Sequence, residues 1–427
     1  MNYTALFFSV LIIYSVCVLN SFSIPVIDSV ITYTYHCVDY SMGFCSRFLI
    51  GAVYNLFVRD PSPESAAVFE NILLCLIYAG ASFLLAKWLV KLPDEERLKG
   101  IRLALFCVTG SCALPAFARV LGMLDVFWLV FGILFLLCMQ NRVLRYITPV
   151  FMFGFLLTHI GAMLTCVPLF ALLLLYEYTL ADTKKEKRIW LALFFVSCAV
   201  AVLSFGYFVM FEKQTLTYDI YDFNDILEQR GTKGYYYYDF ALYDNNTDFT
   251  SFGPFVFDVG NADKMDIGLF VAGETKTGFG SLLHEIWFQV KLRLVYYTAG
   301  NAEVMKKFMG KLLIMLTVLS PLLVMFYKTF IARFKAEKSD KVKKFIWFCV
   351  LAFFPFTIFG SIFVSDDTLR WVTHAMLSLF TILFYISYRE GSGALKVVFG
   401  FIDSFSPTVV TAYQLVYMLS VFSPYSL

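Results

Sequence analysis

A polar stretch near the start of the chain gathers side chains suited to acid–base and phosphate chemistry. Residues 24–66 separate two long apolar runs and contain Asp28, His36, Asp39 and Arg47. A carboxylate beside an apolar wall can have the raised pKa that a general base needs. A planar guanidinium can hold a phosphate through two parallel hydrogen bonds. Asp28 and Asp39 are therefore candidates for a catalytic base, and Arg47 is a candidate for binding an anionic substrate.

A second polar turn carries an arginine and an aspartate between two apolar runs. Arg119 and Asp125 flank this turn, and ionisable groups in a membrane usually face protein or water because lipid does not solvate them. In one interpretation Arg119 binds a phosphate and Asp125 has a catalytic role in orienting a hydroxyl. The alternative is a structural ion pair at the membrane edge.

A third short segment, 365–371, combines acids, an arginine and a tryptophan. Arg370 and Trp371 could clamp a phosphate and stack on a sugar, with Asp367 beside them as a further substrate-binding residue. Alternatively, an aspartate at this position caps the helix that follows it. Neither the HExxH and CxxC metal spacings nor a GxxxxGK[ST] or GxGxxG nucleotide motif occurs, so the sequence predicts no dedicated metal or soluble-type nucleotide site.

The elements that position these residues follow from composition. The chain has 427 residues, of which 59% are hydrophobic and only 15% charged, and its mean hydropathy is +0.72. So much apolar surface requires a bilayer as solvent, which predicts an all-α, polytopic integral membrane protein. The net charge of +2 comes without a large basic domain, so no nucleic-acid partner is expected. Cys37 and Cys45 share the first polar stretch and could pair in an oxidising compartment.

About eleven apolar runs are long enough to be read as spans, the pair at 146–180 being a tight hairpin broken at Thr158–Gly161. The runs are 4–23, 67–90, 101–120, 123–140, 146–159, 161–180, 189–211, 309–331, 345–364, 371–388 and 404–424. Counting the hairpin, ten or eleven helices cross the membrane. They divide the chain into an N-terminal transmembrane bundle (1–211, including loop 24–66), a loop domain (212–308) and C-terminal transmembrane helices (309–427).

Lysine and arginine clusters predict the orientation. They follow or precede the apolar runs near 87–102, 142–145, 184–188 and 333–344, and all four can be cytoplasmic together if even numbers of spans separate them. The N-terminus is then cytoplasmic, and loop 24–66 and the long segment 212–308 are extracytoplasmic. The four histidines, at 36, 159, 284 and 374, all fall at or near the outer face. His159 is assigned to substrate binding; its alternative is a hydrogen-bonded core position.

The long outer segment is rich in aromatic residues, with a tyrosine run at 235–238, and is interrupted by turn residues such as Gly253-Pro254. We expect a small loop domain that could stack on sugar rings. Residues 281–298 have apolar positions at helical spacing beside Lys291 and Arg293, which predicts an interfacial helix.

Several of these stretches resemble integral-membrane GT-C glycosyltransferases and the polymerases that assemble bacterial surface polysaccharides. The resemblance lies in Phe44–Gly51, Arg119–Asp125, the Thr158-His159 turn and Asp367–Trp371. It implies glycosyl transfer in cell-envelope polysaccharide assembly at the outer face of the bacterial cytoplasmic membrane. The partners implied are membrane lipids, a polyprenyl-phosphate-linked sugar and a glycan acceptor.

In that superfamily a carboxylate of the first outer loop serves as base or as metal ligand, which leaves a divalent cation open as cofactor. The family often has a close acidic pair in this loop, whereas Asp28 and Asp39 are well separated here. Two other classes remain: a transporter or flippase, whose polar groups would line a path near the midplane, and a non-catalytic structural membrane protein. A cavity confined to the outer side favours the enzyme, and a cavity that reaches both sides favours the transporter. A filled bundle without a cavity favours the structural protein.

Overall fold

A computed structural model describes residues 30–118, 125–211, 215, 229, 302–364 and 368–420. Over these residues the chain is helical and contains no strand. Asp28, Arg119 and Asp367 lie outside the described residues, as do the first predicted span at 4–23, nearly all of the predicted loop domain 212–308 and its interfacial helix 281–298.

Fourteen α-helices follow one another in the described part of the chain. They are α1 (Val30–Cys37), α2 (Leu49–Tyr54), α3 (Pro63–Lys91), α4 (Asp94–Thr109), α5 (Leu114–Ala118), α6 (Asp125–Met139), α7 (Thr148–Thr158), α8 (Cys166–Leu180), α9 (Lys184–Phe211), α10 (Ala302–Ala336), α11 (Lys341–Val364), α12 (Thr368–Glu390), α13 (Lys396–Asp403) and α14 (Pro407–Leu419). Short 3₁₀ helices precede α7, α8 and α13 at Leu144–Ile147, Ile160–Leu164 and Ser392–Leu395.

The long helix α3 begins at a reciprocal cap. The Ser62 hydroxyl accepts a hydrogen bond from the backbone of Ser65 at 3.1 Å, and the Ser65 hydroxyl accepts one from the backbone of Ser62 at 3.0 Å. Pro63 occupies the first helical turn, where its missing N–H costs nothing. The helix then runs for 29 residues, long enough to cross a bilayer.

Among the described residues, five helices are long and apolar enough to cross a membrane, within Pro63–Lys91, Asp94–Ala116, Lys184–Phe211, Met309–Ala336 and Trp371–Glu390. The predicted helical fold is therefore confirmed, and its apolar helices are compatible with an integral membrane protein. The described structure supports fewer full-length spans than the sequence predicted. The helices α6, α7 and α8 have only 15, 11 and 15 residues, fewer than the roughly 20 that a straight span needs.

The predicted C-terminal span 404–424 contains one described helix, α14, whose 13 residues are fewer than a straight span needs. Helix α13 ends at Asp403 and α14 begins at Pro407, with a bend of 97° between them. Ser406 caps the new helix by accepting a hydrogen bond from Val409, and Pro407 fixes its first turn. The two helices together have the composition of one broken span or of a re-entrant loop.

Helices from both predicted transmembrane segments build one core. Helix α9 packs against α7 and α8, and α6 packs against α3 and α7. From the C-terminal part, α12 contacts α3 and α8, while α11 contacts α8. The helix break predicted at 158–161 is confirmed: α7 ends at Thr158, and α8 starts at Cys166 after a 3₁₀ turn.

Side-chain contacts bring the basic clusters to one end of this bundle, which we call the basic end. They join Lys87 to Gln140 (2.6 Å), Arg145 to Glu186 (2.6 Å), Arg389 to Glu177 (2.6 Å) and Arg333 to Glu390 (2.9 Å). Hydrogen bonds with Glu186 raise the pKa of Arg145, which lies between α6 and α7. The three described histidines lie at the opposite ends of these helices, which we call the histidine end.

Candidate functional site

A buried histidine–aspartate pair lies at the histidine end. Asp125 opens α6 and is 2% exposed, and His374, in the second turn of α12, is 5% exposed. The His374 Nε2 atom lies 2.8 Å from Asp125 Oδ1. A carboxylate hydrogen-bonded to one ring nitrogen fixes the orientation of an imidazole and directs its other nitrogen. The pair therefore has the arrangement of an oriented acid–base group.

One tryptophan ring contacts both His374 of this pair and a second histidine. Trp128 is one helical turn after Asp125, so both side chains project from the same face of α6. Its ring centroid is 4.9 Å from that of His374 and 6.0 Å from that of His159, edge-on to both. Its indole N–H donates to the Phe155 carbonyl at 3.0 Å. This bond connects α6 to α7 and fixes the ring that both imidazoles contact.

The hairpin turn adds the remaining aromatic group. His159 leaves the helical conformation, and its Nδ1 atom accepts a hydrogen bond from the Gly161 backbone at 2.8 Å. A Cβ atom on Gly161 would lie 2.8 Å from the Trp371 ring, so the tryptophan packs directly on the turn. The Trp371 indole nitrogen is buried and has no hydrogen-bond partner among the described residues.

Three of the predicted site residues thus converge: Asp125, His159 and Trp371. Arg370 lies in the first turn of α12, immediately before Trp371. His374 and Trp128 were not among the predicted site residues. Their spacing in the sequence could have identified them. Trp128 follows Asp125 by three positions and His374 follows Arg370 by four, so each lies one helical turn from a predicted site residue.

Asp39 has a different environment from the one predicted. Its Oδ1 atom accepts hydrogen bonds from the backbone N–H (2.8 Å) and the hydroxyl of Ser41, and its Oδ2 atom accepts one from the Asn55 amide at 2.7 Å. Both oxygens therefore hold the loop to the end of α2.

Arg47 brings the first loop to the histidine end. Its backbone N–H donates to the Leu157 carbonyl at 2.8 Å, two residues before His159. Arg47 has a φ of 78°, the left-handed region that non-glycine residues rarely occupy. Cys37 and Cys45 are both buried, and no disulfide joins them.

A second buried pair lies elsewhere at this end. His36 Nε2 is 3.1 Å from Glu70 Oε1, and both side chains are fully buried. The rings of Tyr54 and Phe69 meet the imidazole edge-on. This pair fastens α1 to α3, and neither of its members lines the cavity described next.

A cavity of about 150 Å³ extends from the Asp125–His374 pair into the bundle. His374 and Trp128 line it at one end, and Gln140 and Tyr388 line it at the basic end. Most of the other lining side chains are aliphatic or aromatic, from α3, α6, α8 and α12. The enzyme interpretation expected a cavity confined to the predicted outer side, and this cavity is not confined there. Its apolar lining does not form the polar path that a transporter would need.

Within the described ranges no group of three or more histidine, cysteine or carboxylate side chains is arranged to hold a metal ion. Comparison of the chain with protein-family models, curated proteins and solved structures finds no match. The fold therefore defines only a class, an all-helical protein with several helices able to cross a membrane, and the site must be interpreted from its own chemistry.

Proposed function

We propose that the protein is a membrane glycosyltransferase that moves a sugar from a polyprenyl phosphate to a glycan acceptor at the histidine end of the bundle. The observation that carries the proposal is the buried Asp125–His374 pair, flanked by Trp128, His159 and Trp371. By the positive-inside rule the basic end faces the cytoplasm, so the reaction takes place at the extracytoplasmic face.

His374 acts as the general base in this proposal. With its Nε2 hydrogen directed at Asp125, Nδ1 takes the proton of the acceptor hydroxyl. The acceptor oxygen forms a bond to the anomeric carbon as the bond from that carbon to the phosphate oxygen breaks. The electron pair leaves with the polyprenyl phosphate, and the imidazolium is stabilised by the Asp125 carboxylate.

The remaining roles follow from residue type. Arg47, Arg119 and Arg370 bind the departing phosphate, since preorganised positive charge stabilises the leaving group. Trp371 and His159 contact the sugar at the hairpin turn, where the Trp371 indole nitrogen, which has no partner among the described residues, supplies one donor. Asp39 has a structural role, while Asp28 keeps its place as a second predicted base.

The test is a transfer assay with the purified protein in vesicles. A panel of polyprenyl-phosphate-linked sugars and lipid-free glycan acceptors is supplied, and the release of polyprenyl phosphate is measured. His374→Gln is expected to lower the rate about 10²–10⁴-fold, the range for removal of a general base. Asp125→Asn is expected to lower it as well, because the ring loses its orientation.

The chain offers a matched control in its other buried pair. His36→Gln removes an equally buried imidazole from a carboxylate at the same end and is expected to leave the rate of the folded protein nearly unchanged. The proposal fails if no donor in the panel releases polyprenyl phosphate, or if His374→Gln is as active as His36→Gln.

A further inference from the structure

Two lysines stand at the basic end of the cavity. Lys87 and Lys91 are one turn apart on α3, the first half-buried and the second exposed. The Lys87 ammonium donates to Gln140 at 2.6 Å. The Lys91 ammonium lies 3.5 Å from the centre of the Tyr388 ring and donates to the Tyr388 carbonyl at 3.3 Å. Because Gln140 and Tyr388 both line the cavity, the two charges mark its rim.

These charges are not neutralised by the described part of the protein. The partners of both lysines there are neutral: an amide, a carbonyl and an aromatic ring. Carboxylates of the same end have arginine partners instead, Glu177 with Arg389 and Glu390 with Arg333. Two adjacent ammonium groups beside apolar walls favour an anion, since nearby opposite charge offsets the cost of their partial desolvation.

The cavity beyond the rim suits a hydrocarbon chain. On α12 its lining runs from Tyr388 to His374, a distance of roughly 20 Å at 1.5 Å per residue. On α3 it runs from Trp88 back to Ala81. A narrow apolar slot along the helix axes, with cations at one mouth, is complementary to an anionic lipid and not to a water-soluble anion.

We infer that this is a binding site for an anionic phospholipid of the leaflet at the basic end, with its phosphate between Lys87 and Lys91 and one acyl chain in the cavity. The phosphate lies at the opposite end of the cavity from the proposed glycosyl transfer, the chain extends along the cavity toward His374, and the inference does not depend on that chemistry. The chain fills the space between α3, α6 and α12.

The test uses brominated lipids, whose chains quench tryptophan fluorescence on contact. Trp88 and Trp128 line the cavity, so a chain within it quenches both. The protein is placed in phosphatidylcholine nanodiscs containing equal small fractions of brominated phosphatidylglycerol or of phosphatidylcholine with the same brominated chains. Phosphatidylglycerol is expected to quench more strongly. This excess should disappear in Lys87→Gln/Lys91→Gln, with an affinity roughly thirtyfold weaker.

Further variants separate the headgroup from the chain. Ala81→Phe fills the cavity and should also abolish the excess quenching, whereas Leu76→Phe, on the exposed face of the same helix, should keep it. Lys184→Gln/Lys185→Gln removes two exposed lysines of the same end and should have no effect. Lys91→Gln alone, at an exposed position, should reduce the excess even if the double variant does not fold.

The inference is overturned if the two brominated lipids quench equally. It is also overturned if the excess survives the loss of both lysines or the Ala81→Phe substitution, because a lipid bound only at the surface does not need the cavity. If inorganic phosphate alone competes with the lipid and the Ala81→Phe substitution has no effect on quenching, the site binds phosphate without a chain. This result also overturns the inference.

Discussion

At the scale of single residues, type alone did not separate the catalytic candidates. Asp39 and Asp125 are both aspartates next to apolar segments, yet Asp39 is held by Ser41 and Asn55 while Asp125 is paired with His374. The difference comes from contacts across the chain, and 249 residues separate Asp125 from His374. Local sequence carries no record of such a pairing. The sequence therefore predicted Asp125, His159 and Trp371 as site residues but not the histidine that joins them.

Arg47 provides a residue-scale prediction that separates backbone from side chain. Because its φ is 78°, Arg47→Gly should stabilise the protein by about 1 kcal/mol relative to Arg47→Ala, which keeps the strained backbone without the guanidinium. Thermal unfolding in one detergent measures the difference. If the guanidinium also binds phosphate, both variants lose transfer activity equally.

Both variants lack the arginine side chain, so the loss of that side chain's contacts is the same in both and does not affect the comparison. A glycine variant that unfolds at a lower temperature than the alanine variant would contradict the prediction. It would mean that the left-handed conformation is not retained in solution.

At the scale of elements, the sequence predicted the helices best where caps and proline coincide with apolar length. Helix α3 has a reciprocal serine cap and Pro63 in its first turn, and the predicted span 67–90 lies within it. The hairpin break at Thr158–Gly161 was also predicted, since a histidine and a glycine interrupt an apolar run there. Predictions were poorer for the length of the last apolar run, 404–424, where α14 has only 13 residues. Hydropathy averages over the cap and the proline at Ser406-Pro407, where the helix begins, and so makes the run longer than the helix.

The short helices show a second limit of periodicity. Apolar runs at 123–140 and 146–159 were counted as spans, but α6 and α7 have only 15 and 11 residues. Length in sequence includes turns and caps, which contribute little to crossing a bilayer. Their packing against α3 and α9 explains how helices this short are held in the bundle.

At the scale of the whole molecule, the two ends of the bundle differ in charge. Lys87, Arg145, Arg333 and Arg389 meet at the basic end, and His36, His159 and His374 lie at the other. The sequence predicted that the basic clusters share one side of the membrane, because all four can do so when even numbers of spans separate them. Which leaflet each end faces is a further prediction.

Cysteine labelling tests that orientation. In a background with Cys75 replaced by alanine, a membrane-impermeant maleimide should label Phe57→Cys in intact cells, because this exposed side chain lies at the histidine end. Lys185→Cys, exposed at the basic end, should be labelled only after permeabilisation. The reverse pattern would place the Asp125–His374 pair at the cytoplasmic face and contradict the proposed transfer at the outer face.

The measurement that tests the central claim most directly is a double-mutant cycle on Asp125 and His374 in the transfer assay. Residues that act as one catalytic unit lose activity non-additively, because removing either partner already disables the unit. The account predicts that Asp125→Asn/His374→Gln transfers sugar no more slowly than His374→Gln alone. Losses that multiply, or full activity in the double variant, would contradict it.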